Sequence, residues 1–383
     1  MTPDNATQPP RPDWRDSSAW GAVLLVGYVL LATLPVGLAC LLDPHGDAFL
    51  DEAGKGAALL GFAILALQFV LSGRFRTLDR PFGLDRVMRF HQAMAILATL
   101  LLLAHPLLLA FGHAGWFIFR LDVPWPITLG KLALLLLLFA VLFALLFRKL
   151  GVDYNTWRFL HKNMVWVPVL GFIHSIQVGD DLQHPAMRTY WYALAIMVLL
   201  IFIFRNAVAP FVVRKKYRVA QVRQETHDTW TLEFEPENTP TPLRHFPGQF
   251  WFLKLIRPGR PTELHPFTIA SSPTTEPPVC STIKASGNFT NTIGDTRPGD
   301  HARVEGPFGR FSLVHHDAES FLFIAGGVGI TPIMSMLRYL RDIGDARPAL
   351  LLYGNDTEDD IIFREELANL PGHMRTVHVL KTP

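Results

Sequence analysis

Six long apolar stretches fill the first 213 residues of the chain and are separated by short polar connections. An α-helix needs about 20 mainly apolar residues to cross the hydrocarbon core of a bilayer, and each stretch approaches or exceeds that length. We therefore predict an all-α bundle of six transmembrane helices at residues 19–213, in contact with membrane lipid, after a polar cytoplasmic tail at residues 1–18. The predicted spans are residues 19–42, 56–71, 91–112, 129–147, 159–178 and 190–213.

The pattern changes after residue 213, where short runs of alternating apolar and polar residues replace the long stretches. Runs such as TWTLEFE and QFWFLKL, separated by proline and glycine, predict a small antiparallel β-barrel at residues 214–316. Residues 317–383 combine strongly apolar strands with an amphipathic helix, which is typical of a nucleotide-binding α/β domain. This segment has room for about three strands and two helices, so we expect the domain to be incomplete at its C-terminal end.

Composition narrows the class of protein. Half of the 383 residues are hydrophobic, 18% are charged, and the net charge is only +2. Such a small net charge implies no nucleic-acid partner, and the basic residues matter through their positions. The two cysteines, Cys40 and Cys280, cannot supply a disulfide framework or a thiolate metal site and are expected to be packing residues.

Basic residues are concentrated in the connections at residues 72–90 and 148–158, whereas residues 43–52 are acidic. By the positive-inside rule, the basic connections lie in the cytoplasm. An even number of spans then places both termini and the soluble domains on that side. We expect an integral protein of a bacterial inner membrane.

Two of the predicted spans each carry two histidines: His91 and His105 in the third, and His161 and His174 in the fifth. The members of each pair are ~20 Å apart along a helix. Ionisable side chains at membrane depth usually mark function, although any one of these histidines is explained equally well as a structural hydrogen-bonding residue. Four at two matched depths favour two facing imidazole pairs, which suit the axial ligands of two haem irons. Proton relays in a transporter are an alternative that would involve no haem.

The two histidine spacings differ in one geometric respect. On an ideal helix, 14 residues return to within ~40° of the same face, whereas 13 residues fall ~140° short of it. The pair in the fifth span therefore requires a distorted helix. Pro168 lies between His161 and His174 and predicts a kink there.

Six predicted spans, with histidine pairs in the third and the fifth, resemble the membrane domain of the ferric reductase and NADPH oxidase family. The resemblance implies two b-type haems. It pairs His91 with His161 at the haem on the cytoplasmic side, and His105 with His174 at the outer haem.

Three short motifs mark the predicted barrel: HPFT at residues 265–268, IKASGNFT at residues 283–290 and GPFG at residues 306–309. An aromatic residue followed by a hydroxyl can stack on a flat ring and bond its edge, and amides before a short helix can hold a diphosphate. Together the motifs resemble the flavin barrel of the ferredoxin-reductase superfamily, which implies FAD. The cofactor-binding residues that we expect are His265, Pro266, Phe267, Thr268, Lys284, Ser286, Gly287, Asn288, Phe289 and Thr290.

The resemblance also implies roles within these motifs. Phe267 would pack by the isoalloxazine and Thr268 would bond its edge. Residues 284–290 would meet the pyrophosphate, and His265 would lie on the ribityl or phosphate side.

A glycine-rich turn follows the first apolar strand of the α/β domain. Its free amides and the start of the next helix favour an anion. Pro332 occupies the place of the third glycine of GxGxxG, so the turn differs from that fingerprint. It resembles instead the GGxGxTP turn of the same reductase superfamily, which binds the pyrophosphate of NADH or NADPH. The residues concerned are Gly326, Gly327, Gly329, Thr331 and Pro332.

Asp356 ends the second strand of this domain, at a position where relatives often carry a basic residue. A carboxylate repels the 2′-phosphate of NADPH and can accept bonds from the ribose hydroxyls of NADH. We therefore predict a preference for NADH. The alternative is that Asp356 only caps the helix that begins near Thr357.

These features predict a transmembrane oxidoreductase in which NADH or NADPH reduces FAD, and electrons pass through two haems to an outer acceptor. Oxygen, giving superoxide, is the favoured acceptor, and a ferric chelate is the alternative. Arg120, in the connection before the fourth span, is a candidate for the acceptor site, although a snorkelling interface arginine is the simpler explanation. A different class is also compatible: a non-catalytic haem relay serving an unknown partner protein, motivated by the short α/β domain.

Overall fold

The computed structural model describes residues 12–42, 48–147, 149–237, 243–274 and 278–382. These residues form two compact units. The helical unit comprises Ser18–Leu78 and Asp85–Val208. The sheet unit comprises the described residues up to Ser17, the segment Asp79–Leu84 and the described residues from Ala209 onward.

Helices dominate the described residues before the first strand. Five helical segments are long and apolar enough to cross a membrane, which supports an integral membrane protein. They are α1, α2, α4, α5 and the run from Pro185 to Val212. The helices are α1 (Ser18–Leu42), α2 (Phe49–Ser72), α3 (Arg76–Phe82), α4 (Leu84–Phe111), α5 (Trp125–Leu146), α6 (Tyr154–Lys162), α7 (Trp166–Val178), α8 (Pro185–Ile203) and α9 (Ala209–Val212).

The predicted count of six long helices is not confirmed, because the span predicted at residues 159–178 is broken. It consists of α6, a 3₁₀ turn at Asn163–Val165, and α7. Pro168 has no amide hydrogen to offer the carbonyl four residues earlier, and that carbonyl lies within the 3₁₀ turn. The break therefore falls where the proline removes a helical hydrogen bond.

Helix α2 lies at the centre of the helical unit. In the 18-residue apolar stretch of α2, 56% is buried, compared with 11–17% in the corresponding stretches of the other four segments. Small residues on α2 allow α4 to approach closely: a Cβ at Gly61 would lie 2.9 Å from Leu102, and one at Gly54 would lie 3.1 Å from Leu109. Such small-residue contacts are a common basis for helix packing in membranes.

The sheet unit contains a six-stranded antiparallel sheet, as the alternating runs predict. The strand order is β4-β3-β6-β1-β2-β5, and Trp251, Phe234 and Leu253 lie fully buried in its core. Among the described residues the pairing ends at β4 and at β5, so a closed barrel is not confirmed. The strands are β1 (Lys215–Thr226), β2 (Thr229–Pro236), β3 (Phe250–Ile256), β4 (Leu264–Thr268), β5 (Val279–Lys284) and β6 (His301–Phe308).

The remaining elements form a small α/β domain. Three parallel strands in the order β7-β8-β9 pack against two helices around Met334, Leu337 and Tyr353, which are essentially inaccessible. The elements are β7 (Phe321–Gly326), α10 (Ile330–Asp342), β8 (Ala349–Asn355), α11 (Arg364–Ala368) and β9 (Met374–Leu380).

The segment Asp79–Leu84 is held on the sheet unit by hydrogen bonds to the end of β6. The amide of Gly309 donates to the carboxylate of Asp79 at 3.0 and 3.2 Å. Arg310 donates to the backbone carbonyls of Asp16, Arg80 and Pro81 at 2.6, 2.9 and 2.8 Å. Helix α4, which carries two of the four candidate histidines, begins at the last residue of this segment.

Candidate functional site

His91 on α4 and His161 on α6 face each other in the helical unit. Their ring centroids are 6.2 Å apart and their planes are inclined at 79°. Two imidazole nitrogens that each lie about 2 Å from one metal ion put the ring centroids roughly 6 Å apart. Trp157, one turn before His161, stacks on its ring at 5.1 Å. The separation therefore fits two axial ligands of one iron.

His105 and His174 are each oriented by a backbone carbonyl. The Nδ1 atom of His105 lies 2.9 Å from the carbonyl oxygen of Gly54, and that of His174 lies 2.8 Å from the carbonyl oxygen of Pro126. A carbonyl oxygen only accepts, so Nδ1 carries the hydrogen in both rings and Nε2 of the neutral ring keeps a lone pair. Metal-binding histidines are commonly held in this way.

These two rings line a cavity of about 610 Å³ in the helical unit. Its walls are mainly apolar, with Phe62 and Leu102 among them, and its charged lining consists of Lys55, Lys131, Asp51, Asp180 and Asp181. A large flat apolar group with charged edges suits such a space. The donor set, the cavity and the fixed ring orientation all fit a haem.

Glycine at position 130 makes room for the ring of His174. A Cβ at this position would lie 2.8 Å from Nδ1 and Cε1 of that ring. Gly130 could not be predicted from the sequence, because nothing in an apolar helix marks the glycine that faces a histidine on another helix.

The break between α6 and α7 bears on the spacing of His161 and His174. An α-helix turns ~100° per residue and a 3₁₀ turn ~120°, so three 3₁₀ residues supply ~60° of the missing ~140°. The interruption thus rotates His174 towards the side on which His161 lies.

Arg120 is not among the residues that line the cavity. Its exposed guanidinium donates to Asp122 at 2.9 and 2.6 Å. The ammonium group of Lys131, which does line the cavity, donates to the backbone carbonyl of Arg120. The cations on the cavity wall are therefore lysines that sequence reasoning missed.

The HPFT motif lies on β4 beside an open groove. Pro266, Phe267 and Thr268 line a space of about 230 Å³ together with Phe250. His265 stacks on Phe289 with the ring centroids 4.4 Å apart. The structure thus brings the second candidate motif against the first, although they are distant in sequence.

The IKASGNFT motif forms the end of β5 and an exposed loop. The ammonium group of Lys284 lies 3.2 Å from the carboxylate of Asp228. Burial alone would raise the pKa of Asp228, but the hydrogen bond and charge of Lys284 hold it below its ordinary value. Ser286, Gly287 and Asn288 are exposed, and a 3₁₀ helix begins at Thr290 as predicted. Exposed amides beside a cation can hold a diphosphate.

The glycine-rich turn connects β7 to α10. Gly327 has a φ of +48°, which favours glycine, and its carbonyl accepts from the hydroxyl of Tyr353 at 3.0 Å. A Cβ at Gly327 or Gly329 would meet no atom within 4 Å, so open space borders the turn. Thr331 and Pro332 lie in the first turn of α10. The amide of Ile330, the first residue of that helix, donates to the carbonyls of Gly327 and Val328 in the turn. Gly326, at the end of β7, is exposed.

Asp356 follows β8 and is exposed. The following 3₁₀ helix is capped by Thr357, whose hydroxyl bonds Asp360 at 2.7 Å in a capping box. The capping role considered for Asp356 therefore belongs to Thr357. The carboxylate of Asp356 lies 3.8 Å from the ammonium group of Lys381.

Comparison with protein families defines the class of protein. A model described as "Ferric reductase like transmembrane component" matches residues 57–172. The oxidoreductase FAD-binding domain matches residues 216–313, and the oxidoreductase NAD-binding domain matches residues 323–383. The chain thus joins a ferric reductase-like transmembrane domain to FAD-binding and NAD-binding oxidoreductase domains. This is the combination of domains that the resemblance to the ferric reductase and NADPH oxidase family predicted.

Individual relatives are similar to part of this chain. The reductase subunit of stachydrine N-demethylase from Rhizobium meliloti is 36% identical over 128 residues, which are 33% of this chain and 36% of that protein. The glycine betaine monooxygenase reductase subunit of Pseudomonas aeruginosa is 35% identical over 162 residues, which are 41% of this chain and 43% of that protein. The chain thus spans about two fifths of the length of these relatives.

Among solved structures, the FAD/NAD-binding domain of nitric oxide dioxygenase from Vibrio cholerae superposes with a TM-score of 0.39 at 18% identity. The superposition covers 43% of this chain and 73% of that one.

Proposed function

We propose that the chain transfers electrons from cytoplasmic NADH or NADPH, through FAD and two b-type haems, to an acceptor on the outer face of a membrane. One observation carries the proposal: two histidine pairs lie within an apolar helical unit whose chain continues into FAD-binding and NAD-binding domains. A transmembrane relay needs this combination of parts.

The four histidines would hold two haem irons. His91 and His161 would bind the haem nearer the flavin, and His105 and His174 the outer one. Haem supplies exchange of single electrons at a potential that its ligands and surroundings set. The carbonyls of Gly54 and Pro126 support the outer site, because they keep both rings with Nε2 available as a ligand.

The sheet unit would hold the flavin and the nicotinamide. The chemistry that FAD supplies is the conversion of a two-electron hydride into single electrons. Phe267 and Thr268 border the groove for the flavin ring, while Lys284 and the exposed loop after it offer a cation and amides to the pyrophosphate. The open turn at residues 326–332 would hold the dinucleotide.

The direction of transfer follows from the distribution of charge. The basic connections favour the cytoplasmic side for the sheet unit. If α6 and α7 together form one crossing, the number of crossings is even and both termini lie in the cytoplasm. We propose the inner membrane of a bacterium as the location.

Oxygen, giving superoxide, is the acceptor that we favour, and a ferric chelate is the alternative. The preference for oxygen rests on the family resemblance, because Asp51, Asp180 and Asp181 line the cavity together with Lys55 and Lys131, and Arg120 is bound to Asp122. Dye reduction that superoxide dismutase inhibits would support oxygen. Reduction of a ferric chelate that the dismutase leaves unchanged would support the alternative.

The experiment that tests the proposal counts haem per chain in the purified protein and in His105→Leu and His161→Leu. We expect two haems in the parent and the loss of a different one in each variant, seen as different reduced-minus-oxidised spectra. A protein without haem absorbance would contradict the proposal and favour a transporter with histidine proton relays.

A further inference from the structure

Two side chains of α10 connect the nicotinamide turn to the flavin motif. The hydroxyl of Ser335 donates to the carbonyl of Ser271 at 2.8 Å, and Nη1 of Arg338 donates to the carbonyl of Ala270 at 2.8 Å. Ala270 and Ser271 follow the end of β4, the strand that carries the HPFT motif, after one intervening residue. The helix that begins at the glycine-rich turn is therefore bonded to the chain that leaves the flavin groove.

Arg338 is itself held from the opposite side. Its Nε and Nη2 atoms donate to the two carboxylate oxygens of Glu366 at 2.9 and 2.5 Å, and its guanidinium lies over the ring of Phe363 at 4.8 Å. Arg338 is only 9% exposed. Burial lowers its pKa, but the bonds to Glu366 raise it above the ordinary value, so the side chain stays charged.

The contacts of Arg338 depend on a property that arginine has and lysine lacks. A guanidinium is a planar fork that can bind a carboxylate with two parallel bonds and still direct another N–H elsewhere. An ammonium group is a point charge without fixed directions. Only arginine can therefore join α11, α10 and the flavin-side carbonyl in one rigid arrangement.

We infer that Arg338 is a positioning residue for hydride transfer, which fixes the distance between the nicotinamide turn at the start of α10 and the flavin motif on β4. The inference rests on the proposed function, because it requires FAD and the nicotinamide to bind there. In the transfer, a hydride leaves the dihydronicotinamide and joins the flavin, so the nucleotide is oxidised and the flavin is reduced. Thr331 lies seven residues before Arg338, ~10 Å along the helix, so a small tilt at Arg338 moves the turn.

The test uses the full chain, purified with FAD, and measures anaerobic flavin reduction over a range of NADH concentrations. In Arg338→Lys we expect the limiting rate constant to fall about tenfold or more, because a misplacement of ~1 Å can cost a hundredfold. The apparent Kd for NADH should not change, since Arg338 is not a binding residue of the turn. Deuterated NADH should give a larger isotope effect in the variant.

The matched control is Arg341→Gln. Arg341 lies on the next turn of α10 and donates to the same Glu366 at 3.1 Å, but its described bonds go only to Glu366 and Asp342. We expect both the rate constant and the Kd of this variant to match the parent. A purely structural role for the ion pair would make the two variants similar.

Two results in Arg338→Lys would overturn the inference: an unchanged limiting rate constant, or a loss of activity that appears only as a weaker Kd. If that variant does not fold, Ser335→Ala decides: a severalfold slower limiting rate at unchanged Kd supports the inference, and an unchanged rate overturns it. A parent whose FAD is bound but never reduced by NADH or NADPH would instead overturn the proposed function and the inference with it.

Discussion

A single methyl group at position 130 should remove the outer haem and leave the inner one in place. In Gly130→Ala the new Cβ would lie 2.8 Å from Nδ1 and Cε1 of His174, closer than real Cβ contacts allow. The ring cannot withdraw without cost, because Nδ1 is bonded to the carbonyl of Pro126 at 2.8 Å. The substitution therefore competes directly with the orientation of the ring.

The size of the effect follows from these distances. Ordinary contact begins near 3.4 Å, so the ring must move by roughly 0.6 Å, which stretches the bond to Pro126 beyond hydrogen-bonding range. Losing such a supporting bond typically weakens metal binding about 10- to 100-fold, or roughly 1.4–2.7 kcal/mol. Glycine to alanine within a helix otherwise stabilises by about 0.5–1 kcal/mol. If Gly130→Ala binds haem more weakly while its helix is no less stable, the loss comes from the contact with His174 and not from unfolding of the helix.

The assay is haem per chain in detergent, together with the reduced-minus-oxidised spectrum. Gly27→Ala is the matched control, because Gly27 also lies within a membrane helix and a Cβ there would meet no atom within 4 Å. We expect Gly130→Ala to retain about one haem, and Gly27→Ala to match the parent. Two haems and an unchanged spectrum in Gly130→Ala would refute this account of the outer site, as would equal losses in both variants.

Three further predictions concern the sheet unit. Asp79→Ala should speed hydrogen exchange of the Gly309 amide about 10- to 100-fold, because a bond to a charged acceptor is worth ~1.5–3 kcal/mol. Asp356→Asn should raise kcat/KM for NADPH about fivefold by removing a like charge near the 2′-phosphate, worth ~1 kcal/mol at 4 Å in water, while the parent prefers NADH. Although burial raises the pKa of Glu366, its bonds to Arg338 lower it below the ordinary 4.5. The pair therefore stabilises the fold above that pH, and the difference in Tm between the parent and Glu366→Gln should shrink as the pH falls below it.

Each of these predictions has a neighbouring control. Asp85→Ala removes an exposed carboxylate whose described bond is to Arg89, so equal exchange in Asp79→Ala and Asp85→Ala would contradict the first. Comparable kcat/KM for NADH and NADPH in the parent would contradict the second, and Asp359→Asn should leave the ratio unchanged. The third fails if the Tm difference persists in acid, or if the exposed Glu365→Gln shows the same dependence on pH.

Local patterns were sufficient to predict most of the helices and the antiparallel strands. Apolar length located the long helices, and Pro168 located the distortion between His161 and His174. Alternation predicted the antiparallel strands, and the glycine-rich turn was predicted between a strand and a helix. Each of these features is set by residues that are close together in the chain.

Features that depend on distant residues could not be predicted in the same way. The carbonyls that orient His105 and His174 come from residues 51 and 48 positions away. Every backbone position carries a carbonyl, so no residue type marks the one that a histidine meets. The same holds for Ala270, whose carbonyl accepts from Arg338 at a separation of 68 residues. The order of the six strands likewise depends on pairings between distant segments.

The central claim is that electrons from a reduced nicotinamide reach haem within one chain. The most direct measurement is the absorption spectrum of the purified, FAD-loaded protein after anaerobic addition of NADH, with haem counted per chain. The account predicts two haems per chain and reduction of both at the expense of NADH. Haem that stays oxidised while FAD is present would contradict the account and favour a non-catalytic relay that serves a partner protein.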